Sequence, residues 1–235
     1  MKKRYFVTML VAVMTLGHLI GSGPARAQQQ DSEKEPQAQA NLVPRAVKLL
    51  ETQMTEEGNR RIPDVVRQEA KCIVVFPGVV KLGAVIAFKG GQGLGSCRQT
   101  ETNDWGAPAL FDISAASIGI QAGIQSASVI LVVTNQVGVD ALLKGKASLG
   151  AGIGLAAGPV GGSVDMSTQQ AFLSYVRTKG LFAGLDLEGA VLSFNQEAVA
   201  EVYGSDIGVQ EILFGKKELP DRLVAFHEKL QQFAP

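Results

Sequence analysis

Ser148-Leu-Gly-Ala-Gly-Ile-Gly-Leu-Ala-Ala-Gly-Pro-Val-Gly-Gly-Ser-Val-Asp165 carries the spacing G-x-G-x-x-x-G from Gly152 to Gly158. As a phosphate loop it would make the protein a nucleotide-binding α/β domain; as strand and turn it would make it a sheet. A dinucleotide loop needs a strand before it and a helix after it, because the helix N-terminus faces the pyrophosphate. Here Pro159, Gly161 and Gly162 follow Gly158 and would break a helix in its first two turns. Gly91-Gln-Gly-Leu-Gly95 fails the same test, since Ser-Cys-Arg-Gln-Thr-Glu after it has no apolar helical stripe. The glycines are expected to let strands bend, bulge or pass close to other backbone, and no cofactor is expected.

Working outward, CIVVF, AVIAF, VILVV and AFLSYV are short, rich in branched and aromatic residues and punctuated by glycine, as buried strands are. Gly90-Gly91 reads as a tight hairpin and Thr102-Asn103-Asp104 as another turn, so the neighbouring strands are expected to be antiparallel. Of the 27 glycines, 20 fall between Gly78 and Gly189, which ties the enrichment to the whole sheet and not to one loop. The uncharged stretch 113–139 reads as strands and turns, its Ser, Gln, Thr and Asn content arguing against a membrane helix.

Helices are expected at both ends. Leu42, Ala46, Leu49, Leu50 and Met54 recur at steps of three and four behind Asn41 and Pro44, and Pro63 opens a shorter helix to about Ala70. Residues 196–203 and 209–214 form two short candidates, and Pro220 opens an amphipathic run to the end. The fold class is therefore α+β, over residues 41–235: one domain with a curved, mainly antiparallel sheet, sandwich or barrel-like, flanked by N-terminal and C-terminal helices.

Residues 1–27 read as a secretory signal: Lys2, Lys3 and Arg4, an apolar run over 5–20, then Ala25-Arg26-Ala27. Residues 28–40, QQQDSEKEPQAQA, are too polar to join a core and read as a flexible tether. The expected location is a bacterial periplasm or outside the cell, peripheral to a membrane. Cleavage removes four of the 22 basic residues and none of the 22 acidic ones, leaving a net charge near 18 − 22 = −4. That balance gives no general attraction to a phosphate backbone, so nucleic acid is not an expected partner.

The catalytic inventory is poor. His18 leaves with the signal, so His227 is the one histidine of the mature chain, bordering the apolar residues Leu223, Phe226 and Leu230. Histidine-rich metal sites are excluded, and a Ser-His-Asp arrangement would have to use this packing residue. Asp186 and Glu188 would share one strand face, the ordinary position of solvated charge. Neither a catalytic group nor a metal site is expected. Cys72 and Cys97 allow a disulfide in an exported protein, yet a three-strand meander would put them at opposite ends, and both states stay open.

Several strings taken together resemble the SYLF domain family of lipid-binding domains: Val75-Phe-Pro-Gly-Val-Val-Lys81, Gly90-Gly-Gln-Gly93, Trp105-Gly-Ala-Pro108, Ser148-Leu-Gly150 with Ala157-Gly-Pro-Val-Gly161, Thr178-Lys-Gly-Leu-Phe-Ala-Gly184 with Leu187-Glu-Gly189, and Val202-Tyr-Gly204. The resemblance implies a non-catalytic protein whose partner is a phospholipid or membrane surface; the alternative is a structural envelope protein that binds another protein. Its acidic balance and export signal set this chain apart from the phosphoinositide-binding relatives, and no accompanying SH3 or FYVE domain is expected. An anionic or neutral envelope phospholipid is the expected ligand.

Candidate lipid contacts are Arg45 and Lys48, flanking the leucines of the first helix, with Lys71, Lys81, Lys89 and Arg98 as a second basic set. The competing reading packs the leucine stripe on the sheet and leaves the bases solvated. Cleavage after Ala27 is the expected outcome of export: intact-mass analysis should find Gln28 as the first residue, and recovery of the full precursor in the inner membrane would contradict the reading.

Overall fold

The chain crosses itself first at Cys72 and Cys97, which face each other on two long antiparallel strands and are joined by a disulfide. The computed structural model describes residues 41–56, 61–83, 86–118, 123–150, 152–159, 170–179, 187–204, 206–215 and 217–235. The signal, the tether, Asp186 and residues 180–184 lie outside them.

Helix α1 (Leu42–Thr55) and the short α2 (Asp64–Gln68) precede strands β1 (Cys72–Gly83), β2 (Ile86–Cys97), β3 (Ala109–Ile118) and β4 (Gly123–Val133). Helix α3 (Gln136–Leu143), β5 (Lys146–Ser148), β6 (Leu155–Ala157), β7 (Phe172–Lys179) and β8 (Val191–Phe194) follow, then α4 (Gln196–Tyr203), α5 (Val209–Phe214) and α6 (Asp221–Phe233). The eight strands form one curled sheet in the order β5-β8-β3-β2-β1-β4-β7-β6, antiparallel except for the parallel pair β6 and β7. Helices α1 and α6 pack on each other, and α1 lies on β1 and β2, while α4 and α5 meet β3 and α3 meets β5 and β8. Phe76, Phe111, Phe172, Phe226 and Phe233 are fully buried between these layers.

Two expectations about the centre change. Gly90-Gly91 makes no turn: β2 runs straight through it, Gly90 facing Ser114 and Gly91 facing Ile113. The physical reason is close approach. A Cβ on Gly93 would stand 2.6 Å from the Phe76 ring and 2.7 Å from the Val75 carbonyl oxygen, and one on Gly95 would stand 2.9 Å from the Phe111 ring. Gly91, Gly93 and Gly95 alternate, so they strip one face of β2 of side chains and let two phenylalanines take the space. The expected meander is accordingly one long hairpin, which sets the cysteines opposite each other. On the loop-entropy estimate the disulfide, closing a separation of 25 residues, contributes roughly 3 kcal/mol.

The glycine stretch of the opening question also resolves locally. Gly152 has φ +77°, and after Gly154 the chain enters strand β6 beside β7, where a phosphate loop would start a helix. Gly158 lies against the face of the Tyr175 ring, where no side chain fits. Helix α3 was not foreseen in the uncharged stretch. Its signal is Asn135, whose side-chain oxygen accepts a hydrogen bond from the Gly138 N–H at 3.1 Å and so caps the helix.

At the disulfide end, three side chains grip the end of α6. The Arg98 guanidinium lies 4.6 Å from the centre of the Trp105 ring. It donates from Nε to Ala70 O at 3.1 Å, from Nη1 to Asn103 O at 3.0 Å, and from Nη2 to Ala234 O at 2.9 Å and Pro235 O at 3.0 Å. Trp105 Nε1 donates to Ala234 O at 2.7 Å, and the buried Arg67 lies over the Phe233 ring while donating to Phe233 O and Asp64. Burial holds both guanidiniums below their usual pKa, Arg61 adding to the shift at Arg67 and Asp104 opposing it at Arg98.

Gly93→Ala is expected to lose about 1–3 kcal/mol in urea unfolding, since the added methyl enters a filled space. Arg98→Met, which keeps the stem and removes the donors, is expected to lose roughly 1–3 kcal/mol for the carbonyls it abandons. Unchanged denaturation midpoints would contradict both accounts.

Candidate functional site

The basic residues singled out in the sequence fall into three places. Arg45 and Lys48 project from α1, whose leucines Leu42, Leu49 and Leu50 are buried against the sheet and α6. The stripe therefore packs inward and offers no apolar area to a membrane. Arg45 Nη2 donates to Pro77 O at 3.1 Å, an oxygen that also accepts from Ser128 Oγ at 3.1 Å, and its guanidinium covers Gly78. Lys48 is exposed and stands 4.0 Å from Glu51.

Lys71 and Arg98 sit at the disulfide end, where Arg98 N donates to Lys71 O at 2.8 Å. Lys71 is exposed, whereas Arg98 directs its side-chain donors at the carbonyls of the clamp. Nothing in the sequence around Arg98 reveals this, because Ala234 lies 136 residues away.

Lys81 and Lys89 occupy the other end of the same two strands. They face each other across β1 and β2, flanked by Gln125 on β4 and Ala115 on β3. Beside them Val80 and Leu82 are 38% and 49% exposed, the largest apolar exposure of the described sheet. Alternation along β1 puts these two side chains on the face opposite Lys81. A bulge between Phe76 and Val79 separates this end from the fully buried run Cys72 to Phe76. Ten residues at ~3.3 Å each hold Lys71 and Lys81 about 30 Å apart, so the six bases form no single site.

Two open cavities lie at the disulfide end. One, of about 540 Å³, is bordered by α2, α3 and α5 and includes Lys71, Gln68, Gln136 and Gln210. The other, of about 500 Å³, includes Glu101, Asp104, Trp105 and His227. Gln99, Thr100 and Phe214 line both and make the wall between them, with Gln99 Nε2 donating to Leu213 O at 2.7 Å.

Titratable groups elsewhere serve the fold. Burial raises the Asp112 carboxyl, a shift partly opposed by the hydrogen bond it accepts from Asn195 Nδ2 at 2.8 Å. Asn195 in turn caps α4 by accepting from Ala198 N at 2.8 Å. Burial also raises Tyr203, whose hydroxyl donates to Pro108 O at 2.6 Å. Glu188 lies in the turn before β8 and not on a strand. Among the described residues no group of three or more His, Cys, Asp or Glu is placed to hold a metal ion, and no helix is long and apolar enough to cross a membrane.

Against known proteins, the family model described as "Ysc84: Las17-binding protein actin regulator" matches residues 114–233. SH3 domain-containing YSC84-like protein 1 of Bos taurus is 30% identical over 198 residues, covering 80% of this chain and 58% of the relative. The protein of the same name in Xenopus laevis is 32% identical over 183 residues, 72% of this chain and 54% of the relative. Protein YSC84 of Saccharomyces cerevisiae is 26% identical over 166 residues, 68% of this chain and 35% of the relative. No solved structure matches the chain. The chain spans little more than half the length of the animal relatives and about a third of the yeast one. The family match over 114–233, together with relatives at 30% and 32% identity that cover more than two thirds of the chain, shows that the chain belongs to the Ysc84, or SYLF domain, family.

Proposed function

We propose that this is a non-catalytic binding protein of a bacterial envelope, exported through its N-terminal signal, that docks on anionic phospholipid by the far end of β1 and β2. The observation that carries the reading is the pairing of Lys81 with Lys89 beside the exposed Val80 and Leu82. Two ammonium groups on neighbouring strands attract headgroup phosphates, and the valine and leucine on the opposite face of the same strand end add apolar area where that end enters the interface. Each base near an anionic surface contributes about 1 kcal/mol. In a chain with an acidic excess after cleavage, such a local pair also selects which end meets the surface.

A protein partner is the second reading. The family description names protein binding, and the two open cavities at the disulfide end support this reading.

Exchanging Lys81 and Lys89 together for glutamate is expected to weaken co-sedimentation with phosphatidylglycerol-containing vesicles more than about tenfold at low salt. The difference should shrink at high salt through screening. Lys48→Glu, on the helix whose leucines face inward, should bind as the wild type does. Equal binding by the folded double variant would reject this end as the lipid surface.

A further inference from the structure

We propose that the two cavities at the disulfide end form one trough for an extended peptide segment of a partner protein. An acidic side chain of that segment lies on the Lys71 side of the wall and a basic one on the Glu101 and Asp104 side. This inference stands apart from the lipid reading, since it uses the opposite end of β1.

The lining sets the class of ligand. In the larger cavity Ala70, Val139, Leu143 and Phe214 supply apolar lining. Gln68, Gln99, Gln136 and Gln210 line it as well, the Gln136 amide nitrogen also donating to Asp140 Oδ1 at 2.8 Å. A primary amide both donates and accepts, which is the complement of a peptide group, whereas a phosphate calls for donors alone. The wall is held in place from both sides. Gln99 is tied to Leu213 O by its side chain, its backbone N–H donates to Asp104 O at 2.7 Å, and the neighbouring Arg98 is fixed by the clamp. A rigid ridge with a cavity on each side suits a chain laid across it, because little ordering is required of the protein on binding.

Charge then distinguishes the two sides. Lys71 and Arg98 against Glu69 leave the larger cavity positive, and since Arg98 directs its donors at backbone carbonyls, Lys71 is the group presented to a ligand. The smaller cavity has Glu101 and Asp104, both exposed, and its Lys217 forms an ion pair with Glu211 at 2.7 Å. Opposite signs on the two sides of one ridge disfavour a uniformly anionic ligand, whether lipid headgroup or nucleic acid, and give a neutral glycan no charge to meet. They match a peptide carrying acid and base a short distance apart, and they fix its direction. With Lys81 about 30 Å away along β1, a peptide in the trough leaves the other end open to a surface.

Panning a random-octapeptide phage library on the full mature chain tests this. Peptides enriched on the wild type should carry an acidic and a basic residue at fixed spacing. When synthesised and titrated by fluorescence polarisation, they should bind roughly tenfold more weakly to Lys71→Glu and to Glu101→Lys. A peptide with its two charges exchanged should recover affinity for the protein carrying both substitutions. The Lys81→Glu, Lys89→Glu protein should bind these peptides as the wild type does, which separates this result from the fate of the lipid reading. All four positions are at least partly solvent-exposed, and circular dichroism confirms that the variants fold. No enrichment over the doubly substituted protein, enriched peptides indifferent to both substitutions, or selective binding of chitohexaose that Lys71→Glu abolishes would each overturn the proposal.

Discussion

Contact between β1 and β2 across a face without side chains is the constraint on which the rest of this structure depends. Gly91, Gly93 and Gly95 alternate on β2, and the Gly78 and Val75 carbonyls and the Phe76 and Phe111 rings occupy the places their Cβ atoms would need. Because a one-residue slip would move these glycines to the other face and drive side chains into the rings, the hairpin has one workable register. That register puts Cys72 against Cys97 at one end and Lys81 against Lys89 at the other. The disulfide then ties covalently a pairing that packing has already selected.

The two ends differ because the layers cover only part of the strands. From Cys72 to Phe76 every residue of β1 is buried, with α1 lying on the sheet there and α6 packed on α1. Past the bulge at Phe76 and Val79, residues Val80 to Leu82 are half-buried or exposed. The bulge marks where the core stops, and beyond it the hairpin displays its own side chains. At the covered end the clamp of Arg67, Arg98 and Trp105 returns the C-terminal helix to the strand ends. It also fixes the loop that divides the two cavities. One end of the sheet is therefore a bare hairpin and the other a braced rim, which is why separate binding roles are proposed for them.

Local pattern made the helices legible. Residues 196–203 and 209–214 were readable to the residue, because apolar spacing, Asn195 and Gly204 mark their limits within the sequence itself. The sheet was legible in kind but not in connection. A Gly-Gly pair is a turn signal when only neighbours in sequence are considered, and its role as a close-approach site needs Gly78 and Ile113, which only the fold supplies. Helix α3 was missed for a related reason: its first turn belongs to the uncharged stretch 113–139, and Asp140 is the one charged residue within its eight, so its cap was its clearest mark.

The basic residues show most plainly where sequence reading stops. Arg98 and Lys71 adjoin the two half-cystines in sequence, yet one is turned into the fold and the other out of it. The difference arises from where unpaired carbonyls happen to lie. The end of α6 leaves Phe233, Ala234 and Pro235 oxygens without helical partners, and arginines, with five donors in a planar fork, satisfy several at once. A lysine could not do this, having three donors on one nitrogen and no plane to lay on Trp105. At these positions Arg45, Arg67 and Arg98 each bind backbone oxygens, whereas Lys71 stands in solvent, Lys48 is exposed 4.0 Å from Glu51, and Lys81 lies half-exposed at the far end of the hairpin.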